Sequence, residues 1–135
     1  DGMIERGFGR IVNVTSIAVR TPFPGLAMSS ASRSALTALV ASVSREVAAH
    51  NVTINNLQPG IFETDRMLTG LRGAAEATGK SVEDTRAGML SNIPAGRFGD
   101  PDEFGHACAF LCSSRSGFIT GQNLLLDGGH FRGSF

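Results

Sequence analysis

Apolar positions along this chain follow two periodicities. The run Gly9-Arg10-Ile11-Val12-Asn13-Val14-Thr15-Ser16 is short, β-branched and nearly continuous in apolar character, the pattern of a strand covered on both faces. Pro22, Pro24 and Gly25 then mark a loop. From Leu26 to Ala49 the residues Leu36, Leu39, Val40, Val43 and Val47 recur at three- and four-residue steps, one stripe of an amphipathic helix, with Arg45 and Glu46 off it. A second strand, Val52-Thr53-Ile54-Asn55-Asn56-Leu57, ends at Pro59-Gly60. Strand, helix, strand in this order predicts a βαβ unit with a parallel sheet and a right-handed crossover.

The stretch 62–94 is more polar and is interrupted by Gly70, Gly73 and Gly79. A short helix is expected from Ser81, because Ser81 and Asp84 have the spacing of a capping box with a shorter acid. Asp100-Pro101-Asp102-Glu103 specifies another helix start, and Phe104, Ala107, Cys108 and Leu111 form its apolar face. The last strand is expected within Ile119 to Gly129, an apolar run bounded by glycines. Three strands and three helices make an α/β chain of one unit, 1–135, without repeats or linkers. A first strand at Gly9, if central in a doubly wound sheet, lacks a neighbour on one side, so a segment upstream or another chain is expected to complete the sheet. No glycine-rich turn follows it to open a helix, so the pyrophosphate site of a dinucleotide fold is not in these residues.

Composition narrows the classes. At 135 residues the chain is long enough to bury a real core. Its 41% hydrophobic fraction, 17 glycines and 18% charged residues, the last below the usual ~25%, exclude disorder, collagen and coiled coil. The balance of 12 basic and 12 acidic residues, with no basic run, argues against a nucleic-acid partner, whose binding rests on phosphate neutralisation. No apolar stretch approaches the ~20 residues that cross a bilayer, and Asp1-Gly2-Met3-Ile4-Glu5-Arg6 is not a signal peptide. The expectation is a soluble, cytoplasmic protein without a membrane partner. Cys108 and Cys112 share a helical face but nothing supplies further ligands, so they read as a reduced core pair. His50, His106 and His130 lack metal-type spacing and read as structural or surface residues, and no metal site is expected.

Four motifs in order resemble the carboxyl-terminal half of the short-chain dehydrogenase/reductase family. Gly9 to Ser16 is similar to the strand that carries that family's catalytic serine, and Val52 to Thr64, with Gln58-Pro59-Gly60-Ile61, to the strand and turn at the nicotinamide. Pro94-Ala95-Gly96-Arg97-Phe98-Gly99-Asp100-Pro101-Asp102-Glu103 and Thr120-Gly121-Gln122-Asn123-Leu124-Leu125-Leu126-Asp127-Gly128-Gly129 resemble two further signatures. The flavour within the family is that of 3-oxoacyl-carrier-protein reductases. The resemblance implies the carboxyl-terminal part of a doubly wound, Rossmann-type parallel sheet, with the amino-terminal cofactor half outside this chain. It also implies NAD or NADP as cofactor, a carbonyl or alcohol substrate, 62–94 as a substrate lid, and a homo-oligomer built through helix 26–49 and the last strand.

One motif departs. The family places Tyr-x-x-x-Lys thirteen residues after the serine, a spacing that stacks both side chains on one helical face so that the ammonium lowers the phenol pKa and holds the nicotinamide ribose. From Ser16 that register lands on Ser29 and Arg33, followed by Ser34-Ala35-Leu36. An unperturbed phenol titrates near ~10, within reach of the working range, whereas a serine hydroxyl needs an adjacent base. Arginine, always protonated in proteins, is no such base, but its planar fork suits ribose hydroxyls or a phosphate.

Ser16, Ser29 and Arg33 are therefore the candidate catalytic residues, and Arg33, Pro59, Gly60, Ile61 and Thr64 the candidate cofactor contacts. Each has a plain structural role beside the functional one: Ser16 as a strand-end hydroxyl bonded to local backbone, Ser29 and Arg33 as a polar first turn, Pro59-Gly60 as a strand terminator, Thr64 as a helix cap. Asp127 reads first as a turn acid ahead of two glycines. Three functions follow: an NAD(P)-linked oxidoreductase, 3-oxoacyl-thioester reductase-like; a catalytically weak or inactive member kept as an oligomer subunit; or a fragment without autonomous activity.

Overall fold

A computed structural model of the chain describes residues 1–134. Its elements run α1 (Gly2–Glu5), β1 (Gly9–Val14), α2 (Ala27–Val47), β2 (Val52–Pro59), α3 (Asp65–Thr78), α4 (Val82–Leu90), α5 (Pro101–Cys112) and β3 (Asn123–Leu126). The three strands form one parallel sheet in the order β1-β2-β3, with Gly9 opposite Val52 and Asn56 opposite Asn123. The expected α/β class and the βαβ unit are both present.

Strand β2 is the centre. Val52 to Gln58 are buried at every position, and because successive side chains point to opposite faces, both faces are covered: α2 packs over β2, while α5 packs over β1 and β2. Leu57 is fully buried. The polar residues of β2 are paired across the sheet. Asn13 donates from Nδ2 to Asn56 Oδ1 at 3.2 Å, and Asn56 donates from Nδ2 to Asn123 Oδ1 at 2.8 Å, a side-chain row in register over three strands. Asn55 donates to the Ile119 carbonyl at 2.8 Å and accepts from the Gln122 N–H at 3.0 Å, fastening the loop before β3. Such buried amides are tolerated because their donors and acceptors are satisfied.

Several expectations are corrected. β1 is an edge strand with Ile11 and Val14 36% and 58% exposed, so it is not covered on both faces; the expected missing neighbour is real within this sheet. The helix expected over 26–49 spans Ala27–Val47, with Leu26 at its N-cap and a 3-10 turn, Ala48–His50, after it. Its buried row is Ser30, Val40 and Ser44, while Leu39 of the expected stripe is 58% exposed. Five helices are present among the described residues rather than three. α3 runs straight through Gly70 and Gly73 because Leu71 and Ala75 bury against neighbouring structure, and only Gly79, left-handed at φ 65°, ends it. α4 begins where Ser81 caps it, Ser81 Oγ accepting from the Asp84 N–H at 3.0 Å. α5 carries a complete capping box between Asp100 and Glu103. Regular pairing in β3 covers only Asn123–Leu126 of the apolar run. The cysteines are not a core pair: Cys112 is exposed and Cys108 half-buried.

Candidate functional site

The carboxyl ends of β1 and β2 and the first turn of α2 meet in one place, where parallel α/β sheets position ligands. The end of β1 is tied down first. Thr15 is buried and donates both its N–H, at 2.8 Å, and its hydroxyl, at 3.2 Å, to the Leu57 carbonyl of β2. The next residue, Ser16, is extended and caps the 3-10 turn Ile17–Val19, its Oγ accepting from the Ala18 N–H at 3.1 Å.

After the turn residues Pro22, Pro24 and Gly25, α2 starts without a side-chain cap, so the N–H groups of its first turn have no side-chain acceptor. The four-residue spacing places Arg33 beneath Ser29. Arg33 folds back toward the helix start and donates from Nη1 to the Ser29 hydroxyl and, at 3.4 Å, to the Ser29 carbonyl, while its Nε donates at 3.1 Å to the Thr15 carbonyl. The arginine thus clamps the helix start onto the strand end. Ser30, beside them, is 8% exposed and its Oγ has no hydrogen-bond partner.

The second group lies one strand over. The Gly60 N–H donates to the Leu126 carbonyl at 2.8 Å, and a Cβ on Gly60 would stand 2.7 Å from Asp127 Cβ and 2.8 Å from its Cα, so only glycine lets the two strand ends pass this closely. The chain beyond is stapled to Gly99, whose N–H donates to the Ile61 carbonyl at 3.0 Å and whose carbonyl accepts from the Glu63 N–H at 2.9 Å. Phe62 sits edge-on to Phe104 with centroids 5.5 Å apart. Thr64 caps α3, its Oγ1 accepting from the Met67 N–H at 3.2 Å. Asp127 is a turn acid, accepting from the Gly129 N–H at 2.9 Å and the Phe131 N–H at 2.7 Å. A cavity of about 210 Å³ lies behind this turn, lined in part by Phe62, Arg97, Glu103, Leu126 and Asp127.

The structure therefore brings Ser16, Ser29 and Arg33 into one cluster and sets Pro59, Gly60, Ile61 and Thr64 on the adjacent strand end. Two contributors escaped the sequence reading. Arg20 donates from Nε to Gln58 Oε1 at 2.7 Å and from Nη2 to the Asn123 carbonyl at 3.2 Å, with its guanidinium 5.5 Å from the Phe131 ring, and so braces the ends of β2 and β3. The signal was the polar Asn55, Asn56 and Gln58 inside an otherwise apolar strand, since buried amides require partners. Arg86 is the second, pairing with Glu63 from α4.

Chemically, the partner of the Ser29 hydroxyl among the described hydrogen bonds is Arg33, a donor that removes no proton. The hydroxyl keeps its own O–H to offer a substrate oxygen but has no base beside it among the described hydrogen bonds. Arg33 Nη2 has no partner among the described hydrogen bonds and is left for a ligand acceptor. That fork position and the uncapped helix start suit the hydroxyls of a ribose. No group of three or more His, Cys, Asp or Glu side chains suited to a metal occurs among the described residues, and no helix there is long and apolar enough to cross a membrane.

Comparison with known proteins gives a consistent picture. The family described as enoyl-(acyl carrier protein) reductase matches residues 1–130. The 3-oxoacyl-[acyl-carrier-protein] reductase FabG of Vibrio harveyi is 38% identical over 130 residues, covering 96% of this chain and 49% of that protein. Acetoacetyl-CoA reductase of Allochromatium vinosum is 37% identical over 131 residues, 97% of this chain and 49% of the relative. Among solved structures, YwfH, an NADPH-dependent reductase involved in bacilysin biosynthesis, superposes with TM-score 0.89 at 30% identity over 97% of this chain and 50% of its own. An actinorhodin polyketide ketoreductase variant crystallised with NADPH superposes with TM-score 0.87 at 29% identity, over 96% and 49% respectively. The chain spans about half the length of the curated relatives it matches.

Proposed function

Because the chain belongs to the short-chain dehydrogenase/reductase family, we propose that it forms the substrate-side half of an NAD(P)-linked oxidoreductase of the cytoplasm, reducing a carbonyl, or oxidising an alcohol, of the 3-oxoacyl-thioester type. The observation that carries this reading is the Arg33 clamp. The positions that the resemblance assigns to catalysis, Ser16, Ser29 and Arg33, converge on the end of β1 although Ser29 and Arg33 stand in place of the family's tyrosine and lysine. Arg33 Nη2, without a partner among the described hydrogen bonds, serves as the ribose donor in this reading, and the backbone of Pro59, Gly60 and Ile61 serves the carboxamide side, with Thr64 beside it. When bound, the nicotinamide supplies the hydride to the carbonyl carbon. Ser16 and Ser29 orient the carbonyl oxygen by hydrogen bonding, and the proton for that oxygen arrives through water, since a serine hydroxyl lacks the acidity of a phenol.

The Ser29–Arg33 contact also favours a weak catalyst. Positioned proton transfer contributes typically ~10²–10⁴-fold to rate, and this site lacks the phenol that would deliver it. Replacing Ser29→Tyr together with Arg33→Lys in the intact protein is expected to raise NAD(P)H-dependent reduction of a 3-oxoacyl thioester by at least ~10²-fold. A parent that binds neither NADH nor NADPH by titration calorimetry, with a double variant equally inert, refutes the assignment. Copies of the chain pair through two surfaces in this reading: the outer face of α2, where Met28 is 82% and Leu39 58% exposed, and the region of β3, where Leu124 is 40% and Phe118 wholly exposed. Bare apolar area of this kind marks contact surfaces.

A further inference from the structure

We infer that Arg86 is a positioning residue that latches the α3–α4 hairpin shut over the strand-end turn, with Glu63 and Phe98 as its two catches.

The hairpin's attachment to the rest of the molecule is sparse. α3 packs chiefly on α4, and none of the residues of α4 is buried, so packing does not anchor this helix to the sheet. Leu71 and Ala75 of α3 and Ile93 just beyond α4 are buried, and α4 itself is held by one side chain in its middle. Arg86 donates from Nη1 to Glu63 Oε1 at 2.9 Å and from Nη2 to Glu63 Oε2 at 3.1 Å, a fork-to-fork pair. The same guanidinium lies 4.7 Å from the centroid of Phe98, whose side chain is 3% exposed and therefore fixed. Glu63 is equally well placed: its N–H is bonded to the Gly99 carbonyl, and it sits between the Pro59-Gly60-Ile61 turn and Thr64, the cap of α3. Arg86 thus joins α4 to the segment after β2 and to the segment before α5 at once. The neighbouring guanidinium holds the Glu63 carboxyl below its ordinary value, in keeping with a formed pair.

An exposed ion pair is a weak fastening, screened by salt. Bidentate geometry and an aromatic backing make this one directional rather than strong, which in the oxidoreductase reading suits a hairpin that opens for a substrate and closes on it. Lys80 and Asp84 of the same hairpin make no ion pair with the body of the protein among the described residues, so Arg86 supplies the ion pair of α4. The consequence for catalysis rests on the oxidoreductase reading of the turn, whereas the latch itself does not.

The test is amide hydrogen exchange of the intact protein for Glu63→Gln, Arg86→Met, Arg86→Lys and the double variant Glu63→Gln/Arg86→Met, read over α4 and, as internal control, over α5. Opening of exposed pairs of this kind predicts exchange in α4 about two- to five-fold faster in each of E63Q and R86M, with α5 unchanged. The double variant is expected to be no faster than the single ones, because both remove the same contact. R86K keeps the charge but not the fork and falls between parent and R86M. Raising the salt concentration accelerates α4 exchange in the parent and not in the double variant. Unchanged α4 exchange in all variants, strictly additive effects, or equal acceleration in α5 overturns the latch. None of these outcomes depends on turnover, so a failed latch and a failed oxidoreductase reading are told apart by exchange and by cofactor titration respectively.

Discussion

Replacing Gly60 by alanine adds one methyl group where β2 and β3 converge, and the outcome is set by three opposing quantities. Gly60 has a negative φ or extended backbone, not the left-handed one, so alanine fits its dihedrals. The substitution then gains about 0.4–1 kcal/mol from the less flexible unfolded chain. Against this, the new Cβ meets Asp127 Cβ at 2.7 Å and Asp127 Cα at 2.8 Å, and the second is backbone that rotates out of the way only if the strand ends part. Overpacking of this kind costs typically 1–3 kcal/mol. Parting the strands lengthens the 2.8 Å bond from the Gly60 N–H to the Leu126 carbonyl, a loss of about 0.5–1.5 kcal/mol. The clash wins, leaving a net destabilisation of about 0.5–4 kcal/mol. Gly70→Ala is the control. It lies inside α3 with nothing within 4 Å of the added Cβ, and helix propensity predicts a gain of up to ~1 kcal/mol. Urea unfolding followed by circular dichroism measures both, and with a slope of about 1–3 kcal/mol per molar the two midpoints move in opposite directions by an amount readily resolved. Equal midpoints for G60A and the parent, or a loss in G70A as large as in G60A, refute the argument that close approach and not conformation demands glycine at the strand end.

Other outcomes follow from the same contacts. Arg97, donating at 2.7 Å to each carboxylate oxygen, and the Asp100 N–H at 2.9 Å hold the Glu103 carboxyl down to about 2 from 4.5. Its contribution to stability is therefore present above pH 4.5 and lost as pH falls toward 2; thermal melts of the parent and Glu103→Gln should differ at pH 6 and converge near pH 2. A constant difference across that range counts against the pair. Burial and the adjacent Cys112 sulfur push the Cys108 thiol up, and Cys112 is exposed, so mass spectrometry after brief iodoacetamide treatment should find Cys112 modified before Cys108. The reverse order contradicts the placement of α5.

Fold and site were legible in the sequence to different depths, and the division follows the range of the interactions concerned. The caps of α4 and α5 rest on residues three apart, so both could be read directly: the Asp100-Glu103 box is complete, whereas at α4 Ser81 caps the Asp84 N–H and the Asp84 carboxylate accepts from the Ser81 hydroxyl rather than closing a box on its backbone. The βαβ unit followed from local periodicity, and Ser16, Ser29 and Arg33 from laying the register of the resembling family on one strand and one helix. Glycine was a poorer guide. Gly70 and Gly73 weaken a helix only by its intrinsic preference, and burial of Leu71 and Ala75 on the other side of α3 outweighs that. Leu39 was assigned to the core because periodicity identifies a stripe without saying how wide a surface awaits it.

What the sequence by itself determined is the β1-α2-β2 unit, the starts of the capped helices α4 and α5 and, with the family resemblance, the register that replaces the tyrosine and lysine by Ser29 and Arg33. Only the tertiary structure decided that Arg33 reaches the Thr15 carbonyl, that Gly60 must pass against Asp127, that Asn13, Asn56 and Asn123 form a row, and that Arg86 meets Glu63 and Phe98. The physical reason is that hydrogen bonds within a turn are set by neighbours in the chain. Those contacts instead join residues up to 67 apart, whose meeting depends on how the whole sheet is stacked.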